Sequence, residues 1–222
     1  MIKHLLLPIT AMLALTVGAM AVPQKTIENL TAAYRGETNA NHRYTLSAEK
    51  ADAEGYPQVA LLFRAAAQAE AIHRELHRSA IIALGGNVVS FPLDGVKVGT
   101  TAENLEAAIK GESYERDSMY PRFLTQARLD NATHAIRSLT FASTAEAEHA
   151  KLYQVALNEL GRNSKTDYYV CSVCGYTTTR LPAKNCPSCH NSSEKFTKFS
   201  LTTASWKTET VRAAFWPLRP NR

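Results

Sequence analysis

Two Glu-x-x-His pairs, Glu70…His73 and Glu146…His149, sit in helix-like stretches of this chain. Residues three apart project from one face of a helix. Each pair follows a helical stretch carrying a single inward Glu: Glu37, 33 residues before Glu70, and Glu112, 34 residues before Glu146. Four carboxylates and two imidazoles from four helices can hold two metal ions inside a bundle. A lone Glu-x-x-His means little, because surface helices are rich in Glu. The weight comes from position: Glu37 lies between Tyr34 and Tyr44, Glu70 follows Ala66, Glu112 follows Ile109 and Glu146 follows Leu139. With Glu115 added, the carboxylates buried in these apolar stripes could not stay ionised without compensating charge. Two cations provide it. Mixed carboxylate and imidazole ligation suits iron or manganese better than calcium, which takes oxygen ligands.

A second cluster lies near the C-terminal end. Cys171-Ser172-Val173-Cys174-Gly175-Tyr176 and Cys186-Pro187-Ser188-Cys189 are two C-x-x-C knuckles. Each knuckle directs two thiolates at one ion, and together they make a tetrahedral S₄ site. The spacing leaves iron and zinc both open. Tyr169, Tyr176, Phe196 and Phe199 are expected to form the small core of this module.

The elements that must position these groups are legible as stripes. From Thr26 to about Ala51, Ile27, Leu30, Tyr34, Glu37, Asn41 and Tyr44 recur three and four apart, one helix face. After a turn at Gly55-Tyr56-Pro57, a second helix carries Val59, Leu62, Phe63, Ala66, Glu70, His73, Ala80 and Leu84 and stops at Gly85-Gly86. Residues 87–100 read as an extended connection, long enough to run the length of a helix. Thr100-x-x-Glu103 is a capping box. The third helix has Leu105, Ala108, Ile109, Glu112, Glu115, Met119 and Phe123 on one side, and Pro121 should bend or open it. Past Asp130-Asn131, a fourth helix carries Ile136, Leu139, Glu146, His149, Tyr153, Ala156 and Leu160, with Gly161 as its cap. Short loops around one long crossover predict an all-α, ferritin-like four-helix bundle. His77, four residues after His73, is expected on the helix surface, as are His42 and His134; Glu148 should point away from the metals.

Composition narrows the rest. A formal charge of +5 spread along the 222 residues, without an arginine-rich stripe, argues against a nucleic-acid partner. Lys3 and His4 precede an apolar run from Leu5 to Met20, and Ala19-Met20-Ala21 fits a small-x-small cleavage rule. Residues 1–21 are therefore expected to be a signal peptide, with an uncleaved anchor as the alternative. The run is shorter than the ~20 residues of a bilayer span, so no stable membrane span is expected after cleavage. The mature chain is expected to be exported, to the periplasm in a bacterium. The domains expected are 22–164 for the bundle, 165–203 for the Cys₄ module, and 204–222 as an extension of unassigned role.

Gly36-Glu37-Thr38-x-Ala40-x-x-Arg43-Tyr44, Ala69-Glu70-Ala71-Ile72-His73, Gly111-Glu112-Ser113-Tyr114-Glu115 and Ala145-Glu146-Ala147-Glu148-His149 together resemble the rubrerythrin family. The C-x-x-C-G-Tyr knuckle followed by C-P-x-C looks like that family's rubredoxin-like β domain. The resemblance implies two irons in the bundle and one in the Cys171/Cys174/Cys186/Cys189 site, with zinc the alternative there. Glu70 and Glu146 would bridge the irons. Glu37 with His73 or Glu115 would complete one iron, and Glu112 with His149 the other. Glu115 and His73 would alternate as ligands with oxidation state; an anionic ligand favours the ferric ion and neutral imidazole the ferrous one. Tyr44 and Tyr120 match family tyrosines that either hydrogen-bond a bound peroxide or fill core. His190 departs from the family, standing where free-standing rubredoxins usually have Gly.

The function implied is reduction of hydrogen peroxide to water, with electrons entering through the Cys₄ iron. The resemblance also implies a homodimer in which electrons cross between subunits. The electron donor is not named by the sequence. The rival readings are a ferroxidase or iron-storage bundle, and a bundle with a purely structural zinc module.

Overall fold

The computed structural model describes residues 22–201. The expected leader (1–21), the end of the module (202–203) and the extension (204–222) lie outside the described residues. Among the described residues no helix is long and apolar enough to cross a membrane.

Helices α1 (Gln24–Ala53) and α2 (Pro57–Ala83) pair along their length. Gly55 at φ 81° makes the tight turn between them, and Pro57 opens α2 where its missing N–H costs nothing. Gly85, φ 80°, ends α2. Residues 87–100 then cross the bundle without regular structure. Asp94 ties this crossover to α1, accepting from Arg35 and from Asn39 Nδ2 at 2.7 Å each, and Phe91 packs edge-on to Tyr34. Helix α3 (Thr101–Tyr114) starts with the expected capping box, in which the Thr100 N–H donates to Glu103 Oε2 at 2.7 Å.

The third helix is opened rather than merely bent. A five-residue π-turn, Glu115–Met119, separates α3 from α4 (Tyr120–Leu129). Pro121 has no N–H to return to the turn before it, so the ladder widens just ahead of the proline, and such π segments often mark functional sites. Helix α5 (Thr133–Asn158) follows a turn at Asn131, φ 51°. It stops three residues short of Gly161, which sits in the following turn at φ 82°.

The bundle core is cut in two by its own polar layer. One apolar cluster gathers Ala40, Tyr44, Phe63, Leu105 and Tyr153; the other gathers Leu30, Ile81, Tyr120, Leu124 and Leu139. Glu37, Glu70 and Glu146 lie between them in sequence on α1, α2 and α5, and Glu112 does so along the α3–α4 stretch; all are buried. Each fully buried Leu or Phe contributes roughly 1.5–3 kcal/mol, which lets the fold carry a charged layer at its middle.

Strands β1 (Tyr168–Cys171), β2 (Thr177–Thr178) and β3 (Phe196–Phe199) form an antiparallel sheet in the order β2-β1-β3. The expected core of this module is only half right. Tyr176 and Phe196 do pack on the buried cysteines, joined by Val173 and by Phe141 from α5. Tyr168, Val170 and Phe199 instead join the core of the bundle, while Tyr169 lies under the Lys198 ammonium at 5.9 Å. Strand alternation is the reason: Tyr168 and Val170 share the face turned to α2, and Tyr169 takes the other.

Candidate metal centre

Donor atoms from four helices converge between the two apolar clusters. Glu37, Glu70, His73 and Glu146 form one group and Glu70, Glu112, Glu146 and His149 another, the chosen donor atoms of each lying within 4.8 Å of one another. Glu70 and Glu146 belong to both, so these two carboxylates would be the ones shared between two ions. His149 Nδ1 lies 2.8 Å from Glu146 Oε2 and 3.2 Å from Glu70 Oε1, yet makes no hydrogen bond. Glu37 Oε2, Glu70 Oε1, Glu112 Oε2 and both Glu146 oxygens are also buried without partners. Buried polar atoms are nearly always satisfied. So many orphaned lone pairs aimed at common points fit two cations, and the carboxylate and imidazole donor set fits iron.

The electrostatics of the metal-free chain carry the same message. Burial pushes Glu112 up to about 8, helped by the charges of Glu146 and Glu70. Glu37 is raised well above the carboxylate range by burial and then by Glu70 and Glu146. Burial opposes charge on Glu70 too, but the His149 and His73 imidazoles outweigh it and hold this carboxyl low. His73, disfavoured as a cation by burial, is nevertheless drawn up to about 10 by Glu146 and Glu70. Protons thus do the work that metal would do.

A pH dependence follows for the metal-free protein. Glu112 binds a proton in the folded chain up to about 8 but in the unfolded chain only to 4.5, so stability falls as pH rises between them. The His73 contribution is complete below 6.5 and is lost as pH rises towards about 10. Glu70 acts the other way, its contribution lost only as pH falls through the acid range below 4.5. Thermal unfolding of chelator-treated protein should give a midpoint that drops steadily from about pH 5 to about pH 9, and metal should flatten the curve. A midpoint rising over that range would contradict this electrostatic picture.

The tyrosines attach to the single carboxylates. Tyr44 donates to Glu112 Oε1 and Tyr120 to Glu37 Oε1. Burial first, and then those carboxylates, raise both phenols well above 10, so both keep their protons. Glu115 is not among the clustered donors. It opens the π-turn, and its Oε1 lies against α1, 3.8 Å from where a Cβ on Gly36 would be. It still feels the site: burial, then Glu112, Glu146 and Glu70, raise its carboxyl. His73 thus faces the donor cluster and Glu115 stands beside it. Glu148 turns outward to Lys151 at 2.7 Å.

His77 is not on the surface. It is fully buried, with Nε2 3.2 Å from the Tyr120 hydroxyl and Nδ1 2.7 Å from Ser138 Oγ. Burial, then the neighbouring His73 charge, lowers it to about 3 and keeps it neutral. Its spacing four after His73 was the available signal; it puts both imidazoles on one stripe.

In the Cys₄ module, Cys171 Sγ is 3.7 Å from Cys189 Sγ, and Cys174 Sγ is 3.6 Å from Cys186 Sγ. Four sulfurs each about 2.3 Å from one ion stand about 3.8 Å apart in a tetrahedron, so the cysteines fit a metal and are not disulfide-bonded. Without a cation they share protons unequally: a hydrogen bond from Cys174 brings Cys171 down to about 5, while Cys174 itself is pushed up. Each knuckle ends in a left-handed residue, Gly175 at φ 77° and His190 at φ 60°. The two positions differ in surroundings, for His190 is exposed.

Gly175 sits against the dinuclear site. The module docks on its own bundle, and His73 Nε2 lies 3.1 Å from the Cys174 carbonyl. His149 Nε2 meets Thr177 Oγ1 at 3.0 Å, and that hydroxyl donates to the Gly175 carbonyl at 3.0 Å. Both imidazoles thus have their outer nitrogens held by the Cys₄ module, His73 by the first knuckle and His149 by the start of β2, leaving Nδ1 for metal. No spacing rule in the sequence announces Thr177 or the Cys174 carbonyl.

A shared carboxylate and imidazole site in a ferritin-like bundle, with a Cys₄ module against it, defines a diiron oxidoreductase. The comparisons with known proteins agree. Residues 28–157 match the family model for rubrerythrin, and residues 169–197 that for the rubrerythrin rubredoxin-like domain. The chain belongs to the rubrerythrin family. Nigerythrin of Nitratidesulfovibrio vulgaris is 33% identical over 174 residues, spanning 78% of this chain and 86% of that protein. Rubrerythrin-2 of Clostridium acetobutylicum is 35% identical over 181 residues, spanning 78% and 96%. A solved structure of nigerythrin in a mixed-valence state superposes with a TM-score of 0.73 at 32% identity, covering 85% of this chain and 92% of that one. A bacterioferritin of Mycobacterium tuberculosis, TM-score 0.57 at 22% identity, shares the fold of the bundle.

Proposed function

We propose that this chain reduces hydrogen peroxide to water at the dinuclear site, drawing electrons through the Cys₄ centre. The observation that carries the reading is the contact between the His73 imidazole and the carbonyl of Cys174, which joins the two metal sites through one hydrogen bond. Iron storage needs no such joint and no spare carboxylate, so Glu115 also favours a reductase. When bound, the irons supply the two electrons that split peroxide, and two protons complete two waters. The chain's own part is to bind and orient. Tyr44 and Tyr120 hold Glu112 and Glu37 in place with phenols that stay protonated. His73 faces the Glu37 group and Glu115 is the spare carboxylate held near it, while the surrounding apolar clusters exclude bulk water.

The proposal includes export, a homodimer and an external one-electron donor. The docking of the module on its own bundle supports electron delivery within one chain, in place of the crossing between subunits implied by the family resemblance. Turnover per chain that holds constant on dilution into monomers would agree with the within-chain route. Turnover that collapses on dilution would favour the crossed one.

The decisive measurement is stopped-flow absorbance on the fully reduced, three-iron protein. Peroxide should reoxidise it at least about tenfold faster than oxygen at equal concentration, a difference of about 1.4 kcal/mol in barrier. Equal rates, or accumulation of many more than three irons per chain on ferrous loading, would instead point to the ferroxidase reading.

A further inference from the structure

We propose that His77, backed by Ser138, is a positioning residue that fixes the Glu37 end of the dinuclear site and makes the surroundings of its two ions unequal. The two halves of the bundle repeat one another, and this is one place where the repeat breaks; the other is Glu115, whose first-half counterpart is Ala40. Each Glu-x-x-His is followed four residues later by a buried ring, His77 after His73 but Tyr153 after His149. Eight residues before each Glu-x-x-His glutamate, the second half has Ser138 and the first has Leu62. Each single carboxylate accepts from a tyrosine, Glu37 from Tyr120 and Glu112 from Tyr44.

What stands behind those tyrosines differs. Tyr44 is backed by the rings of Phe63 and Tyr153, at 5.8 and 5.4 Å between centroids, and the Tyr153 hydroxyl has no partner among the described residues. Tyr120 is backed by a polar chain. Its proton goes to Glu37, so its oxygen is free to accept from His77 Nε2–H at 3.2 Å. That tautomer leaves His77 Nδ1 as an acceptor, and the Ser138 hydroxyl donates to it at 2.7 Å. Every donor in the chain points towards Glu37, and every member is buried. The imidazole stays neutral throughout, and no change of charge is invoked.

Such hydrogen-bonded backing orients ligands and tunes their ions. Here it would hold Glu37 still in the donor group that Glu37 forms with Glu70, His73 and Glu146. The inference rests on the dinuclear metal site and not on peroxide chemistry, so either could fail without the other.

Anaerobic cobalt(II) titration of the metal-free full chain tests it, because thiolate-bound cobalt gives intense bands distinct from those of carboxylate and imidazole sites. In His77→Leu/Ser138→Val, which leaves no orphaned partner, one of the two bundle binding steps should weaken by about 10–100-fold. The other bundle step and the Cys₄ step should stay within about twofold. His77→Gln, which can still donate to Tyr120, should recover most of the loss, and Tyr153→Phe should leave all three steps unchanged. Unchanged binding in a double variant with wild-type helicity would overturn the proposal. So would equal weakening of both bundle steps without recovery by Gln, which is the mark of a packing defect.

Discussion

Glu146→Ala should reduce the metal content from three ions per chain to one. Glu146 is shared by both donor groups, with Oε1 3.2 Å from His73 Nδ1 and Oε2 2.8 Å from His149 Nδ1. Its removal would take one donor from each group at once and leave Glu70 as the only carboxylate common to both. Loss of a group that merely orients a ligand typically weakens metal binding 10–100-fold; loss of a ligand to both ions should exceed that. The Cys₄ site should keep its ion, because its sulfurs come from a separately built module. The rise in unfolding temperature that metal gives the native chain should shrink to the part owed to the Cys₄ ion. Glu148→Ala, on the adjacent residue but paired outward with Lys151, is the control and should retain all three ions. Elemental analysis of both variants decides the matter. Three ions in Glu146→Ala would mean that the shared carboxylate is not a ligand.

Gly175→Val should separate the two metal sites without emptying them. A Cβ at this position would lie 2.2 Å from His73 Nε2 and 2.7 Å from its Cδ2, far inside contact distance with a buried ring. The backbone there, at φ 77°, also disfavours a β-branched residue. Either the knuckle lifts off α2 or the imidazole is displaced; in both cases His73 loses the Cys174 carbonyl. Peroxide-driven oxidation of the reduced Cys₄ iron should slow by more than about tenfold, the loss expected from disturbing an outer partner of a metal ligand. The S₄ colour of the isolated protein should persist, since the atoms nearest the added Cβ belong to His73 and not to a cysteine. His190→Gly, at the matching position of the second knuckle, relieves a left-handed side chain exposed to solvent and should be neutral or stabilising by up to about 1 kcal/mol. If Gly175→Val transferred electrons at the native rate, the His73–Cys174 contact would have no part in the route.

Helical periodicity determined much of this protein by itself. Glu37, Glu70, Glu112 and Glu146 could be placed on buried stripes because a 3.6-residue repeat fixes which side chains share a face. The Cys₄ site was equally legible, since C-x-x-C spacing alone brings two sulfurs to one ion. The crossover and the opening near Pro121 followed from local chemistry, a run without helix signals and a missing N–H. What the sequence could not express is which surfaces meet. His77 belongs to the same stripe as His73, yet its partners Ser138 and Tyr120 come from other helices, so its burial depended on tertiary contacts. Strand alternation gave Tyr168 and Val170 one common face, but only docking turned that face into bundle core. The same docking put the Cys174 carbonyl and Thr177 on the outer nitrogens of the two ligand imidazoles, 101 and 28 residues away in the chain. Ligand identity is written in local spacing because a helix repeats regularly. The connection between the two metal sites is written only in the packing of one module on the other, for which no periodicity exists.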